Sequence, residues 1–240
     1  MIAKKLLEVL LLLLFITVMV RSAIASNNLD EEVQEAIHLY NKRDNSPKPL
    51  YKAIEHLNTA ISKDANDSHD LLNRAECFYT LNEKSKGLAD CNRALAIDPN
   101  LVRGYIVRAR FYSIMPNQDN AKAESDYNHA VNMQPDNFDL LSQRGWFYWS
   151  EGKYDLAIRD SGRAIEHRPS SELYEQRSRA YLCEREYEKA MADADKAIEL
   201  NPKNGGAYLN RAGAYRALGR QKLADQDINM AHKLGFFEPD

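Results

Sequence analysis

Residue types that could do chemistry occur along this chain, but their spacing matches no catalytic or metal-binding pattern. No His-Glu-x-x-His pair, Cys/His ligand cluster, glycine-rich phosphate loop or Gly-x-Ser-x-Gly turn is present. Acidic pairs such as Glu31-Glu32 are typical of solvated helix starts. The histidines are scattered singly: His38, His56, His69, His129, His167 and His232. The sequence therefore predicts a protein that is not an enzyme, with no catalytic residues, no metal site and no cofactor.

Recognition of another protein is the chemistry that the sequence favours. Trp146 and Trp149 are the only two tryptophans. Trp and Arg are the residues that most often dominate the binding energy of protein interfaces. The net charge of the chain is −3, with both signs interspersed. Because there is no basic stripe with interleaved aromatics, nucleic acid is not expected as a partner.

These residues lie within a repeated sequence. Five similar segments carry aromatic anchors at separations of 34, 36, 33 and 34 residues: Phe78, Tyr112, Tyr148, Tyr181 and Tyr215. A fixed period in this range predicts stacked supersecondary units rather than a compact domain with a buried site. The two extra residues of the repeat that contains Tyr112 fall in the loop 113–120.

One repeat, residues 171–203, shows the physical reason for the pattern. Apolar residues at helical spacing, from Leu173 to Leu182, predict a first helix, and a polar turn follows. A second helix then carries Ala190 and Ala197 and stops before Pro202, because proline cannot continue the helix. Small residues at fixed offsets let two antiparallel helices approach closely. Proline also closes the other units, at Pro99, Pro135 and Pro169.

On these residues, the chain resembles the tetratricopeptide repeat (TPR) family. The resemblance implies an all-α, right-handed α-solenoid of about six antiparallel helix pairs. A divergent first unit, residues 26–66, would act as the N-terminal cap. Five repeats would follow within 67–238, at about 68–100, 102–135, 138–169, 171–203 and 205–238. The last repeat has Asp225 and His232 where most of the other repeats have apolar residues, as expected of a polar terminal face. Residues 234–237 are expected to fold back as a stub, and a dangling binding tail is the alternative.

Charges repeat with the same register. Arg74, Arg108, Arg144, Arg177 and Arg211 share one first-helix position, and Asp90, Asp126, Asp160, Asp193 and Asp227 share one second-helix position. A residue that reads a ligand should vary between repeats, so we interpret these pairs as Arg–Asp bridges of the scaffold. If partly exposed, each would contribute at most about 1 kcal/mol.

The TPR resemblance implies that the inner face of the first helices forms a concave groove for a protein or peptide segment. Carried onto this sequence, the groove residues are Glu76, Tyr79, Arg103, Arg110, Ser142, Trp146, Trp149, Glu175, Arg179 and Arg216. We expect Trp146 to face the groove. The alternative is that one tryptophan packs under the next repeat, and Trp149 is the candidate for that position. Chaperone-docking members of the family hold a C-terminal carboxylate with Lys and Asn. At those positions this chain has pairs such as Leu72 and Glu76, Ile106 and Arg110, and Ser142 and Trp146, so the carboxylate clamp is absent.

The first 25 residues differ from the rest of the chain. Lys4 and Lys5 precede an apolar run, and residues 23–25 form a small-x-small cleavage site. This layout predicts a secretory signal peptide over residues 1–25, and hence an exported, periplasmic or secreted protein. An uncleaved N-terminal membrane anchor is the alternative, although the apolar run is shorter than the roughly 20 residues that span a bilayer.

Three cysteines follow, in a chain predicted to enter an oxidising compartment. Cys77 and Cys91 lie on the two predicted helices of one repeat, so a disulfide is conceivable, although cysteine is also a common small core residue. Cys183 would remain a free thiol or an intermolecular link. The leading hypothesis is therefore an exported TPR adaptor that binds a protein segment. The alternatives are a self-associating scaffold of an envelope assembly and an accessory subunit of an enzyme complex.

Overall fold

A computed structural model describes residues 28–41, 46–114 and 119–237. The predicted signal peptide and residues 115–118 of the predicted loop 113–120 lie outside this part of the chain. The described residues form helices and no strands. Residues 28–41 form α1. The others are α2 Lys48–Lys63, α3 Ser68–Thr80, α4 Lys84–Ile97, α5 Val102–Ile114, α6 Asn120–Met133, α7 Phe138–Ser150, α8 Tyr154–His167, α9 Ser171–Cys183, α10 Tyr187–Leu200, α11 Gly205–Ala217 and α12 Gln221–Lys233.

The helices fall into two compact units, Met1–Ala123 (unit 1) and Glu124–Asp240 (unit 2). In unit 1, α3 packs on α4, and α5 contacts both of them. In unit 2, α7, α9 and α11 each pack on the helix that follows. The first helices also contact one another, α3 with α5 in unit 1, and α7 with α9 and α9 with α11 in unit 2. This arrangement confirms the predicted all-α repeat fold of antiparallel helix pairs.

Local sequence signals set the helix ends. Asp67, Asn137, Ser170 and Asn204 cap first helices, their side-chain oxygens accepting hydrogen bonds from backbone N–H groups of the first turn. In the four turns that the structure describes in full, the turn into the second helix uses a left-handed residue: Asn82, Gly152, Arg185 and Gly219, with φ between 60° and 72°. Second helices end two residues before the closing prolines, as at Ile97 and Leu200.

The predicted N-terminal unit is helical as expected, with Val33 and Ala36 of α1 buried against Leu50, Ala53 and Leu57 of α2. Further along unit 1, Leu71, Leu72 and Phe111 are fully buried in a second core cluster. In unit 2 the helix contacts are made largely by buried alanines, including Ala157, Ala190 and Ala224 at the predicted small positions.

The repeated charges form the predicted bridges. Arg144 Nε and Nη2 donate to the two carboxylate oxygens of Asp160, at 2.7 and 2.8 Å, and Arg74, Arg177 and Arg211 make the same two-bond contact with their aspartates. The members of the remaining pair, Arg108 and Asp126, belong to different units. Asp160 is fully buried and Arg144 is 8% exposed, so the limit of about 1 kcal/mol given for a partly exposed bridge does not apply to this pair.

The arginines also have a partner that the sequence analysis missed. Nη1 of Arg74, Arg108 and Arg144 donates to an asparagine of the preceding second helix, sixteen positions earlier: Asn58, Asn92 and Asn128. Arg211 uses Asp195 in the same way. Each such arginine therefore ties its own repeat to the one before it, as expected of a scaffold residue.

Candidate functional site

The most exposed aromatic cluster of the first helices lies in unit 2. Trp146 and Trp149 are one turn apart on α7, and their rings meet edge to face with centroids 5.8 Å apart. Arg179 of α9 lies over both rings, 5.0 Å from the centroid of Trp146 and 5.5 Å from that of Trp149. Trp146 is 36% exposed. Trp149 is half-buried, and its indole nitrogen has no hydrogen-bond partner.

A buried polar bridge holds α7 and α9 in this register. Ser142 Oγ donates to Gln176 Oε1 at 3.1 Å, and Gln176 Nε2 donates to the backbone carbonyl of Ser142 at 2.8 Å. Gln176 is 1% exposed. Gly145 leaves the space for this amide, because an added Cβ would lie 2.9 Å from Gln176 Nε2. The hydroxyl of Ser142, which was predicted as a groove residue, is therefore hydrogen-bonded to Gln176.

Glu175 links α9 to α11. Its carboxylate accepts a hydrogen bond from Arg179 Nη2 at 2.8 Å, and its backbone carbonyl accepts one from Asn210 Nδ2 at 2.9 Å. The carboxylate also lies against Gly206, where an added Cβ would come within 2.5 Å. Glu175 therefore holds Arg179 in place together with the rings of Trp146 and Trp149.

A cavity of about 590 Å³ continues from Trp149 and Arg179 toward α11. Its apolar walls are Trp149, Leu209, Phe236 and Phe237, and its charged walls are Glu175, Arg179 and Arg216. A volume of this size is typical of pockets that take a small molecule or a few side chains. We call this cavity the α9–α11 pocket.

The last described residues form one wall of the α9–α11 pocket. Gly235 is left-handed at φ 85°, and Phe236 N–H donates to the carbonyl of Ala231 at 2.9 Å, so the chain turns back after α12. The Phe236 ring fills the space above Gly205, where a Cβ would come within 2.3 Å of it. Phe237 stacks on His232 with ring centroids 5.1 Å apart. The fold-back predicted for residues 234–237 is therefore observed.

Unit 1 holds the other predicted groove residues. Arg103 Nη2 donates to Glu76 Oε2 at 3.0 Å and to Asn73 Oδ1 at 2.8 Å. Arg110 lies over the ring of Tyr79, 4.1 Å from its centroid. Tyr79 in turn packs edge to face on Phe111, with centroids 5.4 Å apart. These four residues therefore form two contacting pairs on the first helices of unit 1.

Two positions of the absent carboxylate clamp are filled by apolar residues that face inward. Leu72 is fully buried and Ile106 is 9% exposed. Neither could reach a ligand carboxylate, whatever its chemistry. The structure thus gives a second reason, burial, for the missing clamp.

The structure gathers five of the predicted groove residues on one face of unit 2: Trp146, Trp149, Glu175, Arg179 and Arg216. Sequence reasoning missed Gln176 and the pocket wall made by Phe236 and Phe237. The sequence shows that two phenylalanines follow α12. It does not show that Phe236 lies over Gly205, because that contact joins residues about thirty positions apart.

Within the described stretches, no group of three or more His, Cys, Asp or Glu side chains is arranged to hold a metal ion. None of the helices seen there combines the length and apolar character needed to cross a bilayer. Cys77 and Cys91 are buried, and Cys183 is exposed.

Comparison with known proteins agrees with this architecture. The family model described as "Tetratricopeptide repeat" matches residues 171–204. The crystal structure of YrrB, whose description is a TPR protein with an unusual peptide-binding site, superposes with a TM-score of 0.59 at 20% identity, covering 75% of this chain and 93% of YrrB. The C-terminal part of a TPR repeat-containing protein from Cytophaga hutchinsonii gives a TM-score of 0.62 at 22% identity, covering 85% of this chain and 78% of that one.

Two curated plant proteins are similar over part of the chain. U-box domain-containing protein 70 of Oryza sativa is 30% identical over 111 residues, which is 45% of this chain and 14% of the rice protein. The Hsp70-Hsp90 organizing protein of Triticum aestivum is 29% identical over 112 residues, 47% of this chain and 18% of the wheat protein. The matches therefore span less than a fifth of either relative.

The packed helix pairs and these similarities define an all-α repeat protein of the solenoid class. More particularly, residues 171–204 match the tetratricopeptide repeat model, and the fold is similar to that of solved TPR proteins. Repeats of this family are typically interaction modules without catalytic activity.

Proposed function

We propose that this protein is a non-catalytic adaptor that binds a segment of a protein partner on the first-helix face of unit 2. The observation that carries the proposal is the exposed Trp146 ring, held by Trp149 and by Arg179 above it. Exposed aromatic and arginine side chains that are already ordered lose little conformational entropy on binding. Stacked repeats present extended surfaces of this kind to partners.

The names of the similar proteins support a protein as the partner, since the wheat relative is called an Hsp70-Hsp90 organizing protein. The face described here lacks the family's carboxylate clamp, so we propose a different mode of recognition. Aromatic and arginine contacts would carry the energy, with Trp146 and Arg179 at the centre.

The test is quantitative co-purification from the native host with the wild-type chain and a Trp146→Ala variant side by side. Tyr51→Ala is the matched control, because Tyr51 is an exposed aromatic of α2 in unit 1, 51% exposed. We expect a partner whose recovery falls about tenfold with Trp146→Ala and is unchanged with Tyr51→Ala. Equal recovery with all three proteins would reject the face of unit 2 as the binding site.

In the same experiment, an Arg110→Ala variant tests whether the partner binds to unit 1 or to unit 2. Arg110 lies over Tyr79 in unit 1. A partner lost with Arg110→Ala and kept with Trp146→Ala would assign binding to unit 1 instead.

We also propose export of the protein, on the basis of residues 1–25. The basic start, the apolar run and the small-x-small site are the supporting observations. N-terminal sequencing of the protein recovered from the native host tests the proposal, with Ser26 as the expected first residue. A retained Met1 would reject cleavage and leave the membrane anchor.

A self-associating scaffold is a second candidate, favoured by the exposed thiol of Cys183. Light scattering under reducing and oxidising conditions tests it. A species of doubled mass that disappears with Cys183→Ser would support it, and a monomer in both conditions would reject it.

A further inference from the structure

Asp70 is a buried carboxyl group that lacks a partner within the described part of unit 1. It lies in the first turn of α3 and is 5% exposed, and its Oδ1 accepts no hydrogen bond from the described residues. Three nearby carboxylates disfavour its ionised form, and one histidine opposes them: Asp67, Asp30, Asp64 and His69. The surroundings are therefore acidic, and a cation placed against Asp70 would stabilise its carboxylate.

The N-terminal part of α1 runs alongside α3 in a register that the hydrogen bonds define. Asn73 Nδ2 donates to Asp30 Oδ1, across 43 positions in sequence. Four residues further along α1, Gln34 Nε2 donates to Glu76 Oε2 at 3.4 Å, across 42 positions. Because residue numbers rise together along both helices, α1 and α3 are parallel. Both helices also contribute to the same core cluster.

This register places position 27 level with Asp70, next to Ser26, the expected first residue after cleavage. Ser26 and Asn27 precede the described residues, and α1 begins at residue 28. The chain spans at most about 3.6 Å per residue, so the nitrogen of Ser26 is within reach of the carboxyl group of Asp70. In the uncleaved chain this nitrogen is a neutral amide, whereas cleavage after Ala25 converts it to an α-amino group that carries a positive charge.

We infer that the α-ammonium group of Ser26, created when residues 1–25 are removed, pairs with the carboxylate of Asp70 and fastens α1 to α3. This inference goes beyond the adaptor function and rests on the proposed cleavage, since only cleavage creates the charge. Processing thus supplies the cation that the acidic surroundings of Asp70 lack. The N-terminal unit is held more firmly in the mature chain than in the precursor.

The sign of one effect separates pairing from its absence. An ammonium group at a helix N-terminus is unfavourable, because the positive end of the helix dipole repels it. Acetylation of Ser26 removes the charge, so without a nearby carboxylate it should stabilise α1 or change little. With the pairing, acetylation instead breaks an ion pair and leaves the carboxylate of Asp70 buried without a cation.

The experiment compares residues 26–240 with a free Ser26 amino group and the same chain acetylated at Ser26. This chain is the protein as it exists after the proposed cleavage, and it contains every described helix. Both forms are also made with Asp70→Asn. Asp139→Asn is the matched control, because Asp139 is an exposed carboxylate in the first turn of α7.

We expect acetylation to lower the midpoint of urea unfolding at pH 7 by about 0.3 M or more in the wild type and in Asp139→Asn. In Asp70→Asn it should not lower the midpoint. Asp70→Asn should accordingly stabilise the acetylated chain more than the free chain. Equal effects of acetylation in the wild type and in Asp70→Asn, or stabilisation of the wild type by acetylation, would overturn the inference.

Two further readouts need no substitution. The pKa of Asp70, followed by the ¹³C shift of its carboxyl group, is expected to be lower in the free chain than in the acetylated chain, because a neighbouring ammonium favours the ionised form. Equal pKa values would overturn the inference. Amide hydrogen exchange in α1 should be slower in the free chain, and equal exchange in the two chains would reject the fastening of α1.

The failures of the two proposals are distinguishable. A native protein that retains Met1 rejects the cleavage and, with it, the inference for the native protein. A native protein that begins at Ser26, together with equal effects of acetylation in the wild type and in Asp70→Asn, keeps the cleavage and rejects the pairing.

Discussion

At the scale of single residues, Gly87 and Phe111 show how two positions in neighbouring repeats depend on each other. A Cβ at Gly87 of α4 would lie 2.0 Å from Cζ of Phe111, whose ring is fully buried on α5. The equivalent pairs of positions in unit 2 are Ala157 with Ala180 and Ala190 with Ala214. The missing side chain of Gly87 thus compensates for the large ring of Phe111.

We therefore expect Gly87→Ala to lower the free energy of unfolding by about 1–3 kcal/mol, because the buried ring cannot move away. Gly162→Ala is the matched control, since the nearest atom to its added Cβ is 3.6 Å away. Within a helix this control should stabilise by roughly 0.5–1 kcal/mol. Urea unfolding measures both. Adding Phe111→Ala should cost less in the Gly87→Ala background than in the wild type, and simple additivity would contradict the explanation.

The three cysteines differ in exposure. Burial raises the pKa of the Cys77 thiol to about 12, so it is almost entirely protonated at neutral pH. We expect Ellman's reagent to modify Cys183 alone in the native protein, and Cys77 and Cys91 only in urea. A Cys183→Ser variant that still reacted rapidly in the native state would contradict the buried placement.

At the scale of elements, the two helices of each repeat are joined by a left-handed residue that is sometimes glycine and sometimes not. Arg185 has φ 60°, a conformation that costs a non-glycine residue about 1–2 kcal/mol. Gly152 has φ 71°, and an added Cβ there would meet nothing within 4 Å.

Arg185→Gly is therefore expected to raise the free energy of unfolding by up to about 1 kcal/mol, since glycine adopts this φ without strain. Gly152→Ala should lower it by about 1–2 kcal/mol, through the backbone alone. Thermal unfolding of each variant shows whether its free energy of unfolding has risen or fallen. Destabilisation by Arg185→Gly would show that contacts of the arginine side chain outweigh the strain.

The second prediction at this scale concerns the buried salt bridge between Arg144 of α7 and Asp160 of α8. Asp160→Ala would leave the Arg144 guanidinium buried without its carboxylate, which costs about 3–5 kcal/mol. Glu199→Ala, which removes an exposed pair with Lys196, should leave the unfolding midpoint nearly unchanged. Similar midpoints for the two variants would contradict the burial of Asp160.

At the scale of the whole molecule, the buried carboxyl group of Asp70 makes the stability of the fold depend on pH. Asp70, in the first turn of α3, is 5% exposed, and its Oδ1 has no hydrogen-bond partner. Burial, followed by the neighbouring charges of Asp67, Asp30 and Asp64, raises its pKa from 3.8 to about 6, and His69 acts in the opposite direction. The folded protein therefore holds the proton more tightly than the unfolded chain does.

From this group, the protein gains stability as pH falls from about 6 toward 4 and loses it as pH rises through the same range. A pKa difference of about two corresponds to at most about 3 kcal/mol. Asp70→Asn should thus stabilise the protein at pH 7 and flatten this part of the profile. Chemical denaturation at several pH values measures it. Equal wild-type and variant slopes between pH 4 and 6 would contradict the assignment.

The sequence by itself determined the helices, their pairing, the turns and the Arg–Asp bridges. These features depend on short-range periodicity, and five copies of the same pattern make each assignment redundant. The choice of Trp146 and Arg179 as binding residues also followed from residue type and register. The contact of these two residues with Trp149 and the different exposures of the two tryptophans did not follow from the sequence.

Only the tertiary structure decided the features in which one repeat departs from its neighbours. Phe236 can form a wall of the pocket because Gly205 has no side chain to exclude its ring. The amide oxygen and the amide nitrogen of Gln176 both form hydrogen bonds with Ser142. The Asp70 carboxyl group is shielded from water near the point where α1 and α3 are joined by the hydrogen bond between Asn73 and Asp30. Such contacts join residues some thirty or forty positions apart, and no local pattern specifies which side chain will fill the space that another leaves.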